Sequence, residues 1–391
     1  MEYLSVSNLN STGSSLGFTD GSHSYEESFK RTYQIISAYS PSGSEQSVAN
    51  ILKEELTSKG LPAQIDRVGN VISEIGTGPV SVLLCGHMDT VPGELPVKVE
   101  GDIISGRGAC DAKGALASLL FAFERLAEAN RSSGVGGRVV FAGVTEEERS
   151  SSGLSEIIRN NLRADYAIFG EPAGISKVTI GYRGHLTSRI EIITPEVHAS
   201  APKLSTNSAE LLFELYGRIK RDLGTGLQDS TDKVSVALTE VASGTAHNVI
   251  PGTTRATIDI RIPQGETTVK IRNKIEEVVR EERSKKTDAT ISLSFDEPTE
   301  PYRVRPDSLI VRAVNRTLLK KGEKMQLISK SGTGDMNTYA HAFGIDAITY
   351  GPGEAKLSHT SEEKISVKEI LACADVIAGT ATELFAMINR S

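Results

Sequence analysis

The sequence predicts an α/β protein with a second, α+β domain inserted into it. Strand patterns alternate with helical patterns up to about residue 180, and the same style resumes from about residue 297. Strands that alternate with helices of this length are typical of an α/β sheet. The segment 181–296 instead has the order β-α-β-β-α-β, which is the pattern of a ferredoxin-like unit. We therefore expect one domain formed by residues 26–180 and 297–391, interrupted by a domain of residues 181–296.

The first part of the α/β domain is predicted from periodicity and from stop signals. Two helical patterns come first, and the second ends at Gly60, a residue typical of a helix C-terminus. Short β-rich runs, a helix of small residues and two further strand patterns follow. The expected elements are helices at 26–39, 44–59 and 113–129, and strands at 63–67, 70–75, 80–86, 137–145 and 166–169.

The inserted domain and the last part of the chain are predicted in the same way. In the insert we expect strands at 186–194, 233–241, 252–262 and 288–296, and helices at 206–223 and 266–284. From about Pro298 the α/β style resumes. There we expect helices at 307–321 and 367–388, a glycine-rich loop near 331–337, and a strand at 345–350.

Composition excludes several classes of protein. The 43 Lys and Arg against 50 Asp and Glu give a net charge of −7, which makes a nucleic-acid or anionic-membrane binder a poor interpretation. Cys85, Cys110 and Cys373 are odd in number and widely spaced, which favours a reducing cytosol over a disulfide framework. No apolar run reaches the ~18 residues of a membrane span. Residues 1–25 lack the basic start and apolar stretch of a secretory signal, so we expect a flexible extension on a cytoplasmic protein.

Histidine and carboxylate side chains recur at the ends of predicted strands. His87 follows the strand 80–86, and Asp89 can accept the other N–H of its imidazole ring. Three adjacent glutamates at 146–148 end another strand, where they repel one another unless a cation lies nearby. Further members are Asp111 in a glycine-rich loop, Glu171 after a strand and His359 in a late loop. Two His and several carboxylates without Cys suit a divalent ion such as zinc, at the sheet edge where α/β proteins bind ligands.

Eight motifs connect these residues to a known family. In order they are GHMDTVPG (86–93), GRGACDAKG (106–114), EEERSSSG (146–153), GEP (170–172), HASAP (198–202), GTAHNVIPG (244–252), SGTGDMN (331–337) and KLSHTSEE (356–363). With them the chain resembles the aminoacylase / carboxypeptidase G / succinyl-diaminopimelate desuccinylase family of co-catalytic di-zinc metallopeptidases, from about residue 30 to 385. The resemblance implies a zinc-exopeptidase-like catalytic domain with two Zn²⁺ ions per subunit, for which Co²⁺ can substitute. It also implies that the insert is a lid and forms a homodimer.

The resemblance implies a set of metal ligands. His87 and Glu171 would hold one ion, and Glu148 and His359 would hold the other. Asp111 would bridge the two ions. Family members often have a cis peptide just after the bridging Asp, which here is the bond from Asp111 to Ala112.

The resemblance also implies catalytic and substrate-binding roles. Asp89 would orient His87, and Glu147 would be the general base that deprotonates the attacking water and then protonates the leaving amine. His198 would stabilise the oxyanion, often from the partner subunit in relatives. The substrate carboxylate would be held by Arg183, Asn248, Arg261 and Thr333. The three glutamates leave a second alignment open, in which Glu146 is the base and Glu147 the ligand.

Three motifs indicate the class of substrate. IGYRG (180–184), SGTGDMN and YGPGEAKLSHTSEE (350–363) most resemble those of hydrolases that release lysine or ornithine from the C-terminal glutamate of a small acidic carrier protein. Basic residues that could receive such a carrier are Arg218, Lys220, Arg221, Lys285 and Lys286. The alternatives are a deacylase of N-acetylornithine or N-succinyl-diaminopimelate, and a catalytically silent binding protein. Lysine and ornithine are not distinguished.

Overall fold

The computed structural model describes residues 24–134, 136–224 and 232–390. The predicted extension, residues 1–25, lies almost entirely outside the described residues. The described helices are α1 Tyr25–Ser37, α2 Gln46–Ser58, α3 Gly114–Ser133, α4 Ser152–Arg159, α5 Ser208–Asp222, α6 Thr268–Lys285, α7 Leu309–Lys320, α8 Asp335–Phe343 and α9 Val367–Ile388. The described strands are β1 Ala63–Ile65, β2 Val71–Ile75, β3 Ser81–His87, β4 Lys98–Glu100, β5 Ile103–Ser105, β6 Arg138–Val144, β7 Tyr166–Phe169, β8 Lys177–Tyr182, β9 Gly184–Ile193, β10 Val197–His198, β11 Ser235–Ser243, β12 Val249–Ile250, β13 Thr253–Ile262, β14 Thr290–Phe295, β15 Tyr302–Arg303, β16 Gln326–Lys330, β17 Asp346–Thr349 and β18 Lys364–Ser366.

The largest sheet has nine strands in the order β1-β2-β6-β3-β7-β17-β8-β15, with β16 paired to β8. Strands β6, β3, β7 and β17 run parallel to one another, so their carboxyl ends lie along one edge. All seven residues of β3 are buried, as is typical of a strand covered on both faces of a parallel sheet. The α/β class predicted from the sequence is confirmed.

Helix α3 packs closely on β3 because Gly86 has no side chain. A Cβ atom at this position would lie 2.9 Å from Cδ1 of Leu119 in α3, closer than packed carbon atoms approach. The short segment Ala109–Lys113, in which Asp111 and Ala112 have non-helical backbone angles, leads directly into α3. The close packing therefore holds the loop that contains Asp111 beside the end of β3, where His87 lies.

The insert has its own antiparallel sheet, in the order β11-β13-β9-β14. Along the chain its main elements are β9, α5, β11, β13, α6 and β14, which is the β-α-β-β-α-β order that the sequence predicts. Residues of β9 alternate between buried and less buried, so one face of the sheet packs on α5 and α6. Its use as a lid or a dimerisation surface stays a prediction.

Helix α9 is long and apolar enough to span a membrane by length and composition alone. Over 18 residues its mean hydropathy is 1.6, and half of this window is buried inside the protein. Ile370, Cys373 and Ile377 are fully buried in the core of the large domain. A buried core helix passes the same test of length and composition, and α9 packs as one.

Several elements differ from the prediction. Strands β8 and β16 and helix α4 were not predicted, and α8 begins within the segment that the sequence predicts to be a glycine-rich loop. Helix α8 starts at Asp335 because Gly334 is extended and the residues after it, from Met336 to Phe343, tolerate a helix. Cys85, Cys110 and Cys373 are buried and form no disulfide, in agreement with the prediction.

Candidate metal centre

The predicted ligands come together at the carboxyl edge of the large sheet. His87 ends β3, the three glutamates follow β6, and Glu171 follows β7, and these three strands are neighbours. Asp111 and His359 reach the same place from the loops before α3 and before β18. One ligand atom each from His87, Asp111 and Glu148 lies within 4.8 Å of the other two.

Asp111 lies between the two histidines. Its Oδ1 is 3.5 Å from Nε2 of His87, and its Oδ2 is 3.4 Å from Nε2 of His359. Two donors that share one tetrahedral zinc ion stand roughly 3.4 Å apart, given metal–ligand bonds near 2.0–2.2 Å. The two oxygens of Asp111 therefore face two separate positions, as a bridging carboxylate requires.

Each position has a second carboxylate. Glu171 Oε1 lies 3.7 Å from Nε2 of His87. Glu148 Oε1 lies 2.9 Å from Nε2 of His359. The peptide bond from Asp111 to Ala112 is cis, which confirms the prediction for this bond.

The site passes a test of fit for a cation. The Nε2 atom of His87 is buried and has no hydrogen-bond partner among the described residues, although carboxylate oxygens surround it. Its Nδ1 atom lies 3.0 Å from the backbone carbonyl oxygen of Asp89 and 3.3 Å from Oδ1 of the same residue. A ligand histidine is oriented in this way, with one ring nitrogen fixed by a carbonyl or carboxylate oxygen and the other turned toward the metal.

Asp89 also fixes the backbone of the glutamate run. Its Oδ1 accepts a hydrogen bond from the N–H of Glu147 at 3.1 Å, and its Oδ2 accepts one from the N–H of Glu148 at 3.0 Å. Ser42 donates a third at 2.7 Å. Asp89 is fully buried, and although burial raises the pKa of its carboxyl group, His87 and these donors hold it below its ordinary value. One carboxylate thus positions both a ligand histidine and the two glutamates.

The three glutamates have different surroundings. Burial raises the pKa of Glu147 well above its ordinary value, and the neighbouring carboxylates of Asp335 and Glu171 add to this effect. Burial also raises the pKa of Glu148. Glu146 instead has a positive φ angle and turns its carboxylate to Arg149, Ser150 and Ser152.

Burial favours the neutral form of the other two acids of the centre, but their pKa values shift in opposite directions. It raises the pKa of Glu171 to about 7, with a contribution from the negative charge of Asp111. It also opposes ionisation of Asp111, but the nearby imidazoles of His87 and His359 and the hydroxyl of Ser358 together outweigh burial and lower the pKa of Asp111. A cluster of buried carboxylates of this kind is stabilised by divalent cations.

Some important residues were missed by the sequence analysis. Glu363 is 1% exposed, and its Oε2 accepts hydrogen bonds from the N–H groups of Gly108, Cys110 and Asp111 at 3.0, 3.3 and 3.2 Å. It therefore holds the Asp111 loop to the loop of His359. Its place four residues after His359, within KLSHTSEE, was the available signal.

Two further residues beside the centre also received no predicted role. Asp335 is buried near Glu147, burial raises its pKa to about 6, and its Oδ2 lacks a hydrogen-bond partner among the described residues. Lys330 ends β16, and its Nζ lies 3.9 Å from Oε2 of Glu171. Asp335 lies in the motif SGTGDMN (331–337). Lys330 lies one residue before this motif, and no feature of the sequence indicated a role for it.

Three residues with predicted roles, two in the insert and one in the large domain, form no hydrogen bond or ion pair with the five ligands in the described part of the chain. His198 is exposed on β10, and its Nδ1 lies 2.8 Å from Oγ of Ser200. Asn248 is exposed just before β12. Thr333 lies in the loop between β16 and α8 and is half-buried. Their roles stay predictions.

The two predicted substrate-binding arginines are engaged within the insert. Arg183 is buried and its Nη2 donates to the carbonyl oxygens of Lys233 and Arg261, each at 2.8 Å. Arg261 donates from Nε to Oδ1 of Asp259 at 2.8 Å. Burial raises the pKa of Asp259, but hydrogen bonds from His185 and Arg261 outweigh it and hold the pKa at about 2. Substrate binding by either arginine would require it to exchange these partners.

The fold and the site together define a class: a hydrolase with an α/β sheet and a metal centre at its carboxyl edge. The model of peptidase family M20/M25/M40 matches residues 83–383. The chain belongs to this family of metal-dependent hydrolases, which confirms the resemblance stated above.

Named relatives align with nearly the whole chain. A Pyrococcus abyssi protein, provisionally named a LysW-lysine/LysW-ornithine hydrolase, is 35% identical over 92% of this chain and 94% of its own length. The LysW-lysine hydrolase of Deinococcus radiodurans is 31% identical over 90% of this chain and 95% of its own. The crystal structure of the aminopeptidase PepT from Bacillus cereus shares the fold, with a TM-score of 0.79 at 19% identity, covering 92% of this chain and 99% of that one.

Proposed function

We propose that this protein releases lysine, ornithine or both from the C-terminal glutamate of an amino-group carrier protein, in cytoplasmic lysine or arginine biosynthesis. The main observation is that relatives named for LysW-linked substrates match 90% or more of the chain at 31–35% identity. The geometry of the centre supports the chemistry, because the carboxylates and histidines of one sheet edge surround two adjacent positions. The bond broken is an amide bond.

The donor set suits two divalent ions. His87 and Glu171 would hold the first, Glu148 and His359 the second, and Asp111 would contact both. Nitrogen and oxygen donors without sulfur suit Zn²⁺, and Co²⁺ accepts the same ligands. When bound, such ions polarise the amide carbonyl as Lewis acids and lower the pKa of a water molecule.

Glu147 has the features of the general base. It is buried, burial raises its pKa well above the ordinary value, and Asp89 fixes its backbone, which suits a group that accepts a proton from water and later donates it to the leaving amine. Glu146 is a poorer candidate because Arg149 and two serines already bind its carboxylate. The positions of these two glutamates support the alignment in which Glu148 is the ligand.

The insert supplies the remaining groups in this proposal. His198 is exposed, so a second copy of the chain or a closing movement of the insert could bring it to the centre as the oxyanion donor. We include a homodimer formed through the insert for this reason. The basic residues suggested as a carrier surface are partly engaged, since Arg218 is paired with Glu281 at 2.6 Å and Glu282 at 2.8 Å.

The test is a comparison of substrates with the metal-loaded enzyme. We expect rapid release of lysine or ornithine from the carrier-linked compounds, and slow or no turnover of N-acetylornithine and N-succinyl-diaminopimelate at equal concentration. Free amino acid is measured by chromatography. Efficient cleavage of the acetylated or succinylated metabolite, with the carrier-linked compounds left intact, would overturn the proposal.

A further inference from the structure

A groove lies beside the metal centre, next to the ligand Glu171. Its volume is about 400 Å³, within the range of small-molecule sites. It is formed by the chain after Glu171 (172–177), by β16 and by residues 353–356, and none of these belongs to the insert. Lys330 lies at its inner end, where it approaches Glu171.

Lys330 is placed to bind an anion. Its side chain is 19% exposed, and among the described residues Glu171 is the only carboxylate within ion-pair distance of its ammonium group. At 3.9 Å this contact is longer than a hydrogen bond. The ring of Tyr182 lies 5.6 Å from Nζ. An ammonium group has three N–H donors, so Lys330 keeps the capacity to donate to a ligand.

The other charges of the groove leave it positive. Lys177, Lys330 and Lys356 line it together with Glu354 and Glu369. Glu354 is paired with Lys356 at 2.6 Å. Glu369 accepts a hydrogen bond from the N–H of Gly353 at 3.0 Å, which ties it to the loop. The groove therefore complements an anionic ligand.

The substrate of the proposed reaction carries such an anion. A glutamate has two carboxyl groups, so when one forms the scissile amide the other is free, four bonds or roughly 5 Å from the scissile carbonyl carbon. An acetyl group has no carboxylate at all.

We propose that Lys330 binds the free carboxylate of the substrate's acyl group, and that the groove holds this residue on the acyl side of the scissile bond. The enzyme then selects acyl groups that end in a carboxylate over neutral acyl groups of the same length. This inference rests on the proposed amide hydrolysis and adds a specificity-determining residue to it.

The test uses two compounds that differ only at the acyl end. In Nα-glutaryl-lysine the acyl chain ends in a carboxylate, and in Nα-pentanoyl-lysine a methyl group replaces it. We expect Lys330→Met to lower kcat/KM for the glutaryl compound by about 10- to 100-fold, the usual scale for losing a buried charge partner. The pentanoyl compound should change little, and Lys330→Arg should restore part of the preference. Lys324→Met, at an exposed lysine outside the groove, is the matched control.

Binding gives a second readout that does not depend on turnover. In the Glu147→Gln background, Lys330→Met should raise the Kd of Nα-glutaryl-lysine by a similar factor. The number of bound metal ions should stay the same. Equal losses for both compounds, a loss of metal, or no preference in the wild type would overturn the inference. If Lys330 gives the expected selectivity but carrier-linked lysine is not cleaved, the carrier assignment fails and the inference about Lys330 stands.

Discussion

Replacing Glu147 with Gln is expected to lower kcat by about 10²- to 10⁴-fold, the range that general acid–base catalysis contributes. Gln has nearly the same shape but cannot accept a proton from water at neutral pH. The hydrogen bond from the backbone N–H of Glu147 to Asp89 does not involve the side chain, so the fold and the five ligands should be kept. Turnover is measured by release of free amino acid, and metal content by elemental analysis of the same samples.

Glu146→Gln is the matched control for this prediction. Its side chain is turned to Arg149 and to two serines, so we expect kcat within a few-fold of the wild type. If instead Glu146→Gln abolished turnover and Glu147→Gln lost metal, the other alignment of the three glutamates would be correct. Equal activity of both variants would mean that neither glutamate is the base.

The second large effect concerns stability. Arg31 and Glu124 form a buried ion pair, with side chains 4% and 3% exposed, and Nη1 of Arg31 donates to Oε2 of Glu124 at 3.0 Å. This contact joins α1 to α3. Arg31→Met removes this partner of the buried carboxylate of Glu124, which keeps Lys59 at 3.6 Å, and it also removes the partner of Glu55, whose Oε2 lies 2.6 Å from Nε of Arg31. We expect the free energy of unfolding to fall by about 3–5 kcal/mol.

Denaturant titration of the metal-free forms measures this effect. An Arg31→Met/Glu124→Leu double variant should recover part of the loss, because it removes the buried carboxylate of Glu124, whereas Glu55, which pairs with Arg31 at 2.6 Å, still loses its partner. Arg305→Met is the control, since Arg305 and Asp307 pair at 2.7 Å with side chains 82% and 68% exposed, and such pairs contribute roughly 0–1 kcal/mol. A loss below about 1 kcal/mol for Arg31→Met would contradict the prediction from buried-pair energetics.

Much of the fold was predictable because periodicity and length are local properties. The final helix was predicted at 367–388 and is α9, Val367–Ile388, since its apolar pattern and flanking residues are both clear. Strand β16 was not predicted because its residues are mostly exposed and it pairs through β8, far away in sequence. Helix α4 is separated from the glutamate run by three residues, the last of which, Ser151, is in the αL conformation, and its eight residues are too few for a periodic signal.

The candidate site also contains residues that the sequence indicated and residues that it did not. Ligands such as His87 and Glu171 stand at strand ends, and parallel strands bring their carboxyl ends to one edge, so sequence patterns indicate them. The role of Glu363 depends instead on contacts across loops, for which its place in KLSHTSEE was the one signal, and that of Lys330 depends on the pairing of β16, which no local pattern encodes. For Arg261 the family resemblance implied a substrate contact, and in the structure its Nε donates to Oδ1 of Asp259; its role stays a prediction.

The central claim is that five side chains on one sheet edge hold two divalent ions, with Asp111 between them. Equilibrium dialysis of the chelator-treated protein against Zn²⁺, followed by elemental analysis, tests this claim most directly. We expect about two ions per chain for the wild type, and a large loss of both in Asp111→Ala, with the fold retained by circular dichroism. A wild type that binds one ion or none, or an Asp111→Ala variant that still binds two tightly, would contradict the account.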